Sequence, residues 1–389
     1  MTDTTPHTPG PTTGPASADG SGRAPIPVRV QEVLDRAVAE QGFPGYSVQI
    51  RQGERSSFGA AGFADTGSGR ERLPQERFRI GSTTKTFAAI LLLRLEAEGV
   101  LSLDDTVETW LPDLVRGNGN DGRSITLEQL LSMTSGLFNY VLDEDILVRF
   151  NGPGFLEHRF DSFTPEELVR TALAHPPEHS PGQGWNYCNT GYFLAGMIIE
   201  RATGQTFARQ VEQHLARPLG LTSTYVPGEE KDIPGTHARH YSRLYASAPD
   251  APVYDVTELN ASAAWAAGGM VSSTTDLNHF FAALLRGDLL PPAQQARMFT
   301  TAPTPEGKWL PIPDTTYGLG MSSLTLAGGD TVWGMGGAIN GSFCFTYGTR
   351  DGGLVISQSI NCDWGNPIGA FAELLDTALR SPSLRPKGI

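Results

Sequence analysis

Lysine and cysteine are both scarce in this chain, and each scarcity narrows what the protein can be. Of 29 basic residues in a chain of 389, only Lys85, Lys231, Lys308 and Lys387 are lysines. Acidic residues number 42, for a formal net charge of −13. No basic stripe interleaves with aromatic residues, so the electrostatic footprint of a nucleic-acid binder is missing; the acidity serves solubility. Cys188, Cys344 and Cys362 are an odd count without metal-ligand spacing and read as buried, reduced thiols. The eight histidines form no pair with spaced carboxylates. His237 and His240 are three apart, but on a segment without helical pattern, and read as loop residues. No metal and no cofactor is expected. No apolar run approaches the roughly 20 residues of a membrane span. Residues 1–25 are rich in Thr, Pro, Gly, Ser and Ala and lack the basic and apolar regions of a secretory signal. They read as a disordered tail. Together these absences point to a cytoplasmic protein, and no internal repeat divides it.

What is present is a globular, loop-rich composition, with 39% hydrophobic residues, 18% charged and 45 glycines. Val30, Val33, Leu34, Ala37 and Val38 recur at helical spacing, and Gly42 follows as a stop. Tyr46 to Ile50 alternate and are β-rich; Gln52-Gly53 turns the chain back into Ser57-Phe58. The middle reads as helices over Leu127–Met133, Pro165–Ala174, Thr190–Thr203, Phe207–Leu215 and Thr275–Leu285, the last capped by Thr274 or Thr275. The stretch from about 300 to 315 reads as a loop. Strands are expected over Gly341–Tyr347 and Gly353–Ile360, and an amphipathic helix over Ile368–Leu379. This order predicts an α+β fold. An antiparallel sheet is built from both chain ends and flanked by the terminal helices, with an all-helical lobe inserted. Residues 26–389 form one two-lobed domain in this reading, the α/β lobe about 26–100 and 300–389 and the helical lobe about 101–299. The cleft between lobes is the expected site for a small molecule.

The chemistry starts at Gly81-Ser82-Thr83-Thr84-Lys85. Residues three apart share a helix face, so the Ser82 hydroxyl and the Lys85 amine lie one turn apart. A serine needs a base to become a nucleophile, and an amine of depressed pKa serves as one. Phe87 to Leu95 are apolar nearly all round, which implies a buried helix and a Lys85 near its start that is not a solvated surface charge. Acyl transfer further needs a proton shuttle and donors for an oxyanion. Tyr187-Cys188-Asn189 follows a Pro-Gly turn, and its Tyr and Asn, two apart on a loop, can point into one cleft. Trp333-Gly334-Met335-Gly336-Gly337-Ala338 precedes a strand, and its glycines allow a backbone to approach a ligand closely. Taken singly, each motif is as well read as a structural feature: an exposed helix start, a packed Tyr with an Asn cap, a glycine-rich bulge.

Taken together, Ser82-Thr83-Thr84-Lys85 and Tyr187-Cys188-Asn189 resemble the serine β-lactamase and penicillin-binding protein superfamily. So do the flanking stretches from Ile125 to Leu137, from Ala216 to Leu221 and from Ala267 to Met270. The nearest branch holds class C β-lactamases, D-Ala-D-Ala carboxypeptidases and family VIII esterases, and the resemblance covers about residues 28–380. It implies the β-lactamase/transpeptidase-like fold. It further implies Ser82 as the acylated nucleophile, Lys85 as its proton acceptor and Tyr187 as the proton shuttle. Asn189 would hold the substrate's acyl amide or carbonyl, and the backbone N–H groups of Ser82 and Ala338 would form the oxyanion hole. Met335, Gly336 and Gly337 occupy the third motif; Trp333 and Trp265 are expected to line or roof the cleft, and the loop at Phe138, Asn139 and Tyr140 to shape the acyl pocket.

Two positions depart from the pattern. Cys188 replaces a Ser or Ala, a small change. Met335 stands where a Lys or His is usual, and Met cannot pair with a substrate carboxylate. Losing a charge-assisted contact of that kind removes roughly 1.5–3 kcal/mol. The family VIII esterases often carry an apolar residue there. The expectation is therefore a serine acyl hydrolase or transacylase of cytosolic small-molecule or natural-product metabolism. Its substrate would be an ester, amide or short peptide without a free carboxylate beside the scissile bond, its acceptor water, an amine or an alcohol. A D-Ala-D-Ala carboxypeptidase, D-aminopeptidase or β-lactamase is the alternative. A non-catalytic binding or sensor protein on the same fold is a third, opposed by the presence of Ser82, Lys85, Tyr187 and Asn189 together.

Overall fold

A computed structural model describes residues 24–384 except 245, 247 and 249. The expected tail 1–25 therefore lies outside the described residues, save its last two, of which Ala24 bridges to Ser57. The architecture is the expected β-lactamase/transpeptidase-like α+β fold. Nine antiparallel strands run in the order Ala302–Pro303, Thr316–Tyr317, Ser322–Thr325, Thr331–Ile339, Ser342–Gly348, Leu354–Ile360, Gly45–Gln52, Arg55–Asp65 and Arg70–Glu71. The N-terminal hairpin joins the C-terminal strands through Gly45–Gln52 and Leu354–Ile360, with Tyr46 opposite Ile360 and Gln52 opposite Leu354. Antiparallel pairing lets the two chain ends meet in one sheet while some 230 residues of other structure intervene.

Each sheet face has its own apolar layer. On one face the helices Val28–Gln41 and Pro367–Leu379 pack together, burying Val30, Val33, Leu34 and Ala37 with Phe371, Leu374 and Leu375. Phe345 of the sheet stacks on Phe371 with ring centroids 4.8 Å apart. On the other face the helix Thr84–Ala97 is the hub; every residue from Thr84 to Leu93 is buried. Burial of each large apolar side chain contributes roughly 1.5–3 kcal/mol. A helix apolar all round has no face to give to water, so other helices, among them Asn189–Thr203 and Trp265–Gly268, surround it.

The structure departs from the sequence reading in a few places. Thr274–Arg286, placed above in the helical lobe, packs on the sheet. Its Asn278 donates to the Gln49 carbonyl at 2.9 Å and accepts from the Ser357 hydroxyl at 2.8 Å. Its cap is Ser273, not Thr274 or Thr275; the Ser273 hydroxyl accepts from the Asp276 N–H at 3.2 Å. Thr331–Ile339 and Ser322–Thr325 are strands of the sheet, where the sequence showed a glycine-rich segment before a strand. Ala302–Pro303, within the expected loop, pairs with Thr316–Tyr317 at the sheet edge. Phe207–Val211 passes into a π-helical turn, Glu212–Ala216. Cys188, Cys344 and Cys362 are buried free thiols. His240 is loop-borne but fully buried, and burial holds its imidazole well below its ordinary pKa. Among the described residues no helix is long and apolar enough to cross a membrane.

Phe87 of the hub helix and Phe280 of the sheet-covering helix stack with centroids 3.8 Å apart and planes 5° from parallel, both fully buried. Phe280→Ala is expected to lower the free energy of unfolding by about 3–5 kcal/mol in urea denaturation. A loss under about 1 kcal/mol would show that this contact does not couple the two layers.

Candidate active site

Ser82 sits in a single 3-10 turn, Gly81–Thr83, that leads straight into the hub helix. The turn is pressed against the strand Thr331–Ile339. A Cβ on Gly337 would come within 1.9 Å of the Ile80 carbonyl oxygen and 2.6 Å of the Ser82 nitrogen. Gly81, at φ +49°, has the Ala338 nitrogen and oxygen 2.6 Å from where its Cβ would be. Only residues without side chains let the two backbones approach so closely, and this approach sets Ala338 beside Ser82.

Lys85, one turn on, is fully buried. Its Nζ lies 3.1 Å from Ser82 Oγ, 2.7 Å from Asn189 Oδ1 and 2.7 Å from the Ala267 carbonyl. The amine also lies over the Tyr187 and Tyr192 rings, 5.0 and 5.4 Å from their centroids. Burial pulls its pKa down to about 7. A neutral amine has two N–H bonds, which match the two shorter contacts, and one lone pair, which is left facing Ser82 Oγ. Tyr187 donates its phenolic hydrogen to Ser82 Oγ at 2.7 Å. Burial raises the Tyr187 pKa further, so Tyr187 is a neutral hydrogen donor at ordinary pH. The two neighbours of Ser82 therefore divide the work: Lys85 can take a proton and Tyr187 can give one.

Asn189 opens the helix Asn189–Thr203, not a loop. Its backbone and side-chain N–H groups both donate to Asn139 Oδ1, at 3.1 and 3.2 Å. That leaves the Asn189 carbonyl oxygen aimed at Lys85. Asn139 is a buried partner that sequence reasoning placed only in a pocket-shaping loop. Between Tyr187 and Asn189, Cys188 turns inward and donates its thiol to the Leu137 carbonyl at 3.2 Å, clear of the reacting groups.

These groups open onto a cavity of about 660 Å³. Ser82, Tyr187, Asn189, Gly336, Gly337 and Ala338 line it, with Asn139 and Tyr140. Four expected contacts do not line it. Met335 is fully buried, packed into the core cluster of the hub helix and opposite Thr346 in the sheet register. Trp333 packs on Phe299, 5.4 Å between centroids. Trp265 packs between Phe193 and Phe207. Phe138 stacks on His175 at 4.0 Å. Several lining residues went unread, Trp309 and Arg159 among them. Trp309, from the Pro- and Thr-rich stretch taken as a bare loop, lies nearly parallel to the Tyr187 ring, 6.0 Å away; a tryptophan in an otherwise polar loop was the available signal. Arg159 brings in a cation, and nothing in its sequence context marked it.

A family model described as Beta-lactamase matches residues 30–373. Esterase EstB of Burkholderia gladioli is 34% identical over 203 residues, 51% of this chain and 51% of that protein. The putative penicillin-binding protein PbpX of Bacillus subtilis is 27% identical over 289 residues, 74% of this chain and 64% of its own length. The matches thus span about half and under two thirds of these curated relatives. Among solved structures, a D-stereospecific amidohydrolase from Streptomyces sp. superposes with a TM-score of 0.82 at 44% identity, covering 89% of this chain and 96% of that one. A D-amino acid amidase from Ochrobactrum anthropi SV3 superposes with a TM-score of 0.77 at 28% identity, covering 90% and 97%.

The pH dependence of acylation follows from the two shifted groups. Lys85 must be neutral to accept a proton, so kcat/KM for an ester is expected to rise about tenfold per pH unit below 7 and to level off above it. Half-height falls near pH 7, where burial has placed the amine. Tyr187 stays protonated across this range and adds no descending limb below pH 9. Steady-state rates from pH 5 to 9 read the profile; a half-height below pH 5.5 or above pH 8.5 would contradict the assignment.

Proposed function

We propose, from the premise that this chain belongs to the beta-lactamase family of serine hydrolases, that it cleaves esters and amides of apolar acyl groups through a Ser82 acyl-enzyme. The observation that carries the reading is Ser82 Oγ held 2.7 Å from the Tyr187 hydroxyl and 3.1 Å from the Lys85 amine, at the wall of a largely apolar cavity. In the forward step Ser82 Oγ attacks the scissile carbonyl carbon and its proton passes to neutral Lys85. The backbone N–H groups of Ser82 and Ala338 receive the charge that develops on the carbonyl oxygen. Tyr187 hands its proton to the departing alcohol or amine nitrogen and is refilled by the proton that Lys85 accepted. Water, or an amine or alcohol acceptor, then takes the acyl group by the same steps reversed.

The substrate class follows from what the cavity wall offers. Met335 is buried away from the cavity, so the third motif supplies no cation for a carboxylate beside the scissile bond. No Asp or Glu is among the described lining residues. A neutral ester or a primary amide fits these walls; a free C-terminal carboxylate beside the scissile bond does not. The names of the relatives, an esterase, a D-stereospecific amidohydrolase and a D-amino acid amidase, support ester and amide substrates, D-aminoacyl amides among them. These features favour a role in small-molecule metabolism over cell-wall processing.

Intact-protein mass after brief exposure to a p-nitrophenyl ester, and separately to benzylpenicillin, tests the reading. The ester is expected to add its acyl mass, and Ser82→Ala to abolish the adduct while keeping the same thermal unfolding midpoint. An adduct that persists in Ser82→Ala would move the nucleophile elsewhere. An adduct from benzylpenicillin alone would return the carboxypeptidase or β-lactamase alternative.

A further inference from the structure

The cavity holds one charged group that acyl transfer does not use. Arg159 follows the short helix Phe155–His158 and is fixed at both backbone ends. Its N–H donates to the Phe155 carbonyl at 2.7 Å, and its carbonyl accepts from the Asn260 N–H, also at 2.7 Å. Phe155, Leu259 and Asn260 line the same end of the cavity. The half-buried guanidinium lies over the Phe160 ring, 4.7 Å from its centroid. Among the described residues it makes one hydrogen bond, from Nη1 to the Asp255 carbonyl at 3.2 Å. Its Nε is buried without a partner.

No carboxylate answers this charge among the described residues. The Asp255 carboxylate is taken by Arg239 at 2.9 Å and by Thr257. Asp161 is taken by Arg149 and by His158. Asp232 faces His237 at 3.9 Å. Two further cations reinforce this end. Fully buried Arg79 donates to the carbonyls of Lys231, Thr257 and Leu259 at 2.9–3.3 Å, with no ion pair among the described residues. Lys231 holds its amine 4.6 Å from the Phe160 centroid. In a chain of net charge −13, an arginine at the wall of an apolar cavity, with no carboxylate partner among the described residues, is a local excess of positive charge.

We propose that Arg159 is a carboxylate-binding subsite, so that the substrate carries an anionic carboxylate at the end remote from the scissile carbonyl. A planar guanidinium matches a carboxylate's two oxygens. The apolar walls supplied by Ile146, Leu147, Phe150 and Ile339 call for a hydrocarbon link between the two ends. This deepens the acyl-hydrolase reading and rests on it: the scissile carbonyl keeps a neutral neighbourhood, and the charge lies at the far end of the acyl chain.

The test uses p-nitrophenyl monoesters of dicarboxylic acids from adipic to sebacic, each compared with its methyl-capped counterpart. For at least one length the free acid is expected to exceed the capped ester in kcat/KM by about tenfold or more, less so at high salt. Arg159→Gln is expected to bring that ratio to about one, and Arg159→Lys to restore part of it. A ratio near one at every length, or one unchanged in Arg159→Gln, overturns the proposal. Calorimetric binding of the matching monoanilides to Ser82→Ala reads the subsite without turnover. Arg159-dependent binding there, with no ester turned over by the unaltered protein, would leave the subsite standing and remove the hydrolase reading. Ester turnover with no preference for the acid would do the reverse.

Discussion

The Lys85 amine, sealed from water, rests between Ser82 Oγ, Asn189 Oδ1 and the Ala267 carbonyl, and the rest of the structure follows from keeping it there. A lysine in water holds its proton to about pH 10.4. Burial brings this one down to about 7, a bias on the order of 5 kcal/mol against the charged form. Such a group is tolerated only where its hydrogen-bonding capacity is met. Here it is met in either protonation state. The ammonium has three acceptors; the neutral amine has two, and its lone pair is left for the serine. The base is thus poised without any neighbouring negative charge.

Each layer around Lys85 serves that arrangement. The hub helix is apolar on all sides, which keeps water from the amine and obliges other helices to enclose it. Asn139 holds both N–H groups of Asn189 and so fixes the oxygen that Lys85 meets. The bare backbone of Gly337 lets the strand Thr331–Ile339 close on the turn that carries Ser82. Met335 forms part of the support, and Gly336, Gly337 and Ala338 border the cavity. The third-motif residue Met335 is thus held in packing and does not line the cavity.

Much of this was legible in the sequence because local pattern and tertiary need agree. The i, i+3 spacing of Ser82 and Lys85 survives as a shared helix face, and the run from Phe87 to Leu95 announces its own burial. The periodic helix before Gly42 and the hairpin after Tyr46 need no distant partner to be read. What escaped depends on contacts across the chain. The strand Thr331–Ile339 was hidden by Gly334, Gly336 and Gly337, residues of low strand preference that are required there because the Ser82 turn and the neighbouring strand press close. Met335 was read as a substrate contact because a motif position says nothing of how deeply the core covers its side chain. Trp333 and Trp265 were placed at the cleft by nearness to glycines, yet each finds aromatic partners in the core. The Asn139 loop was legible as pocket-shaping but its hold on Asn189 was not, and Trp309 and Arg159 reach the cavity from distant loops, the first marked only by an aromatic ring in a polar stretch and the second by nothing.

With only four lysines in the chain, the state of Lys85 can be read directly. Labelling lysine with carbon-13 at Cε and nitrogen-15 at Nζ gives at most four side-chain signals to follow by NMR from pH 5 to 11, and Lys85→Met assigns one of them. The account predicts that the signal lost in that variant titrates near pH 7 in the unaltered protein. A Lys85 signal that titrates near pH 10, as a lysine in water does, would mean that the amine is protonated at neutral pH, and the division of roles between Lys85 and Tyr187 would fall.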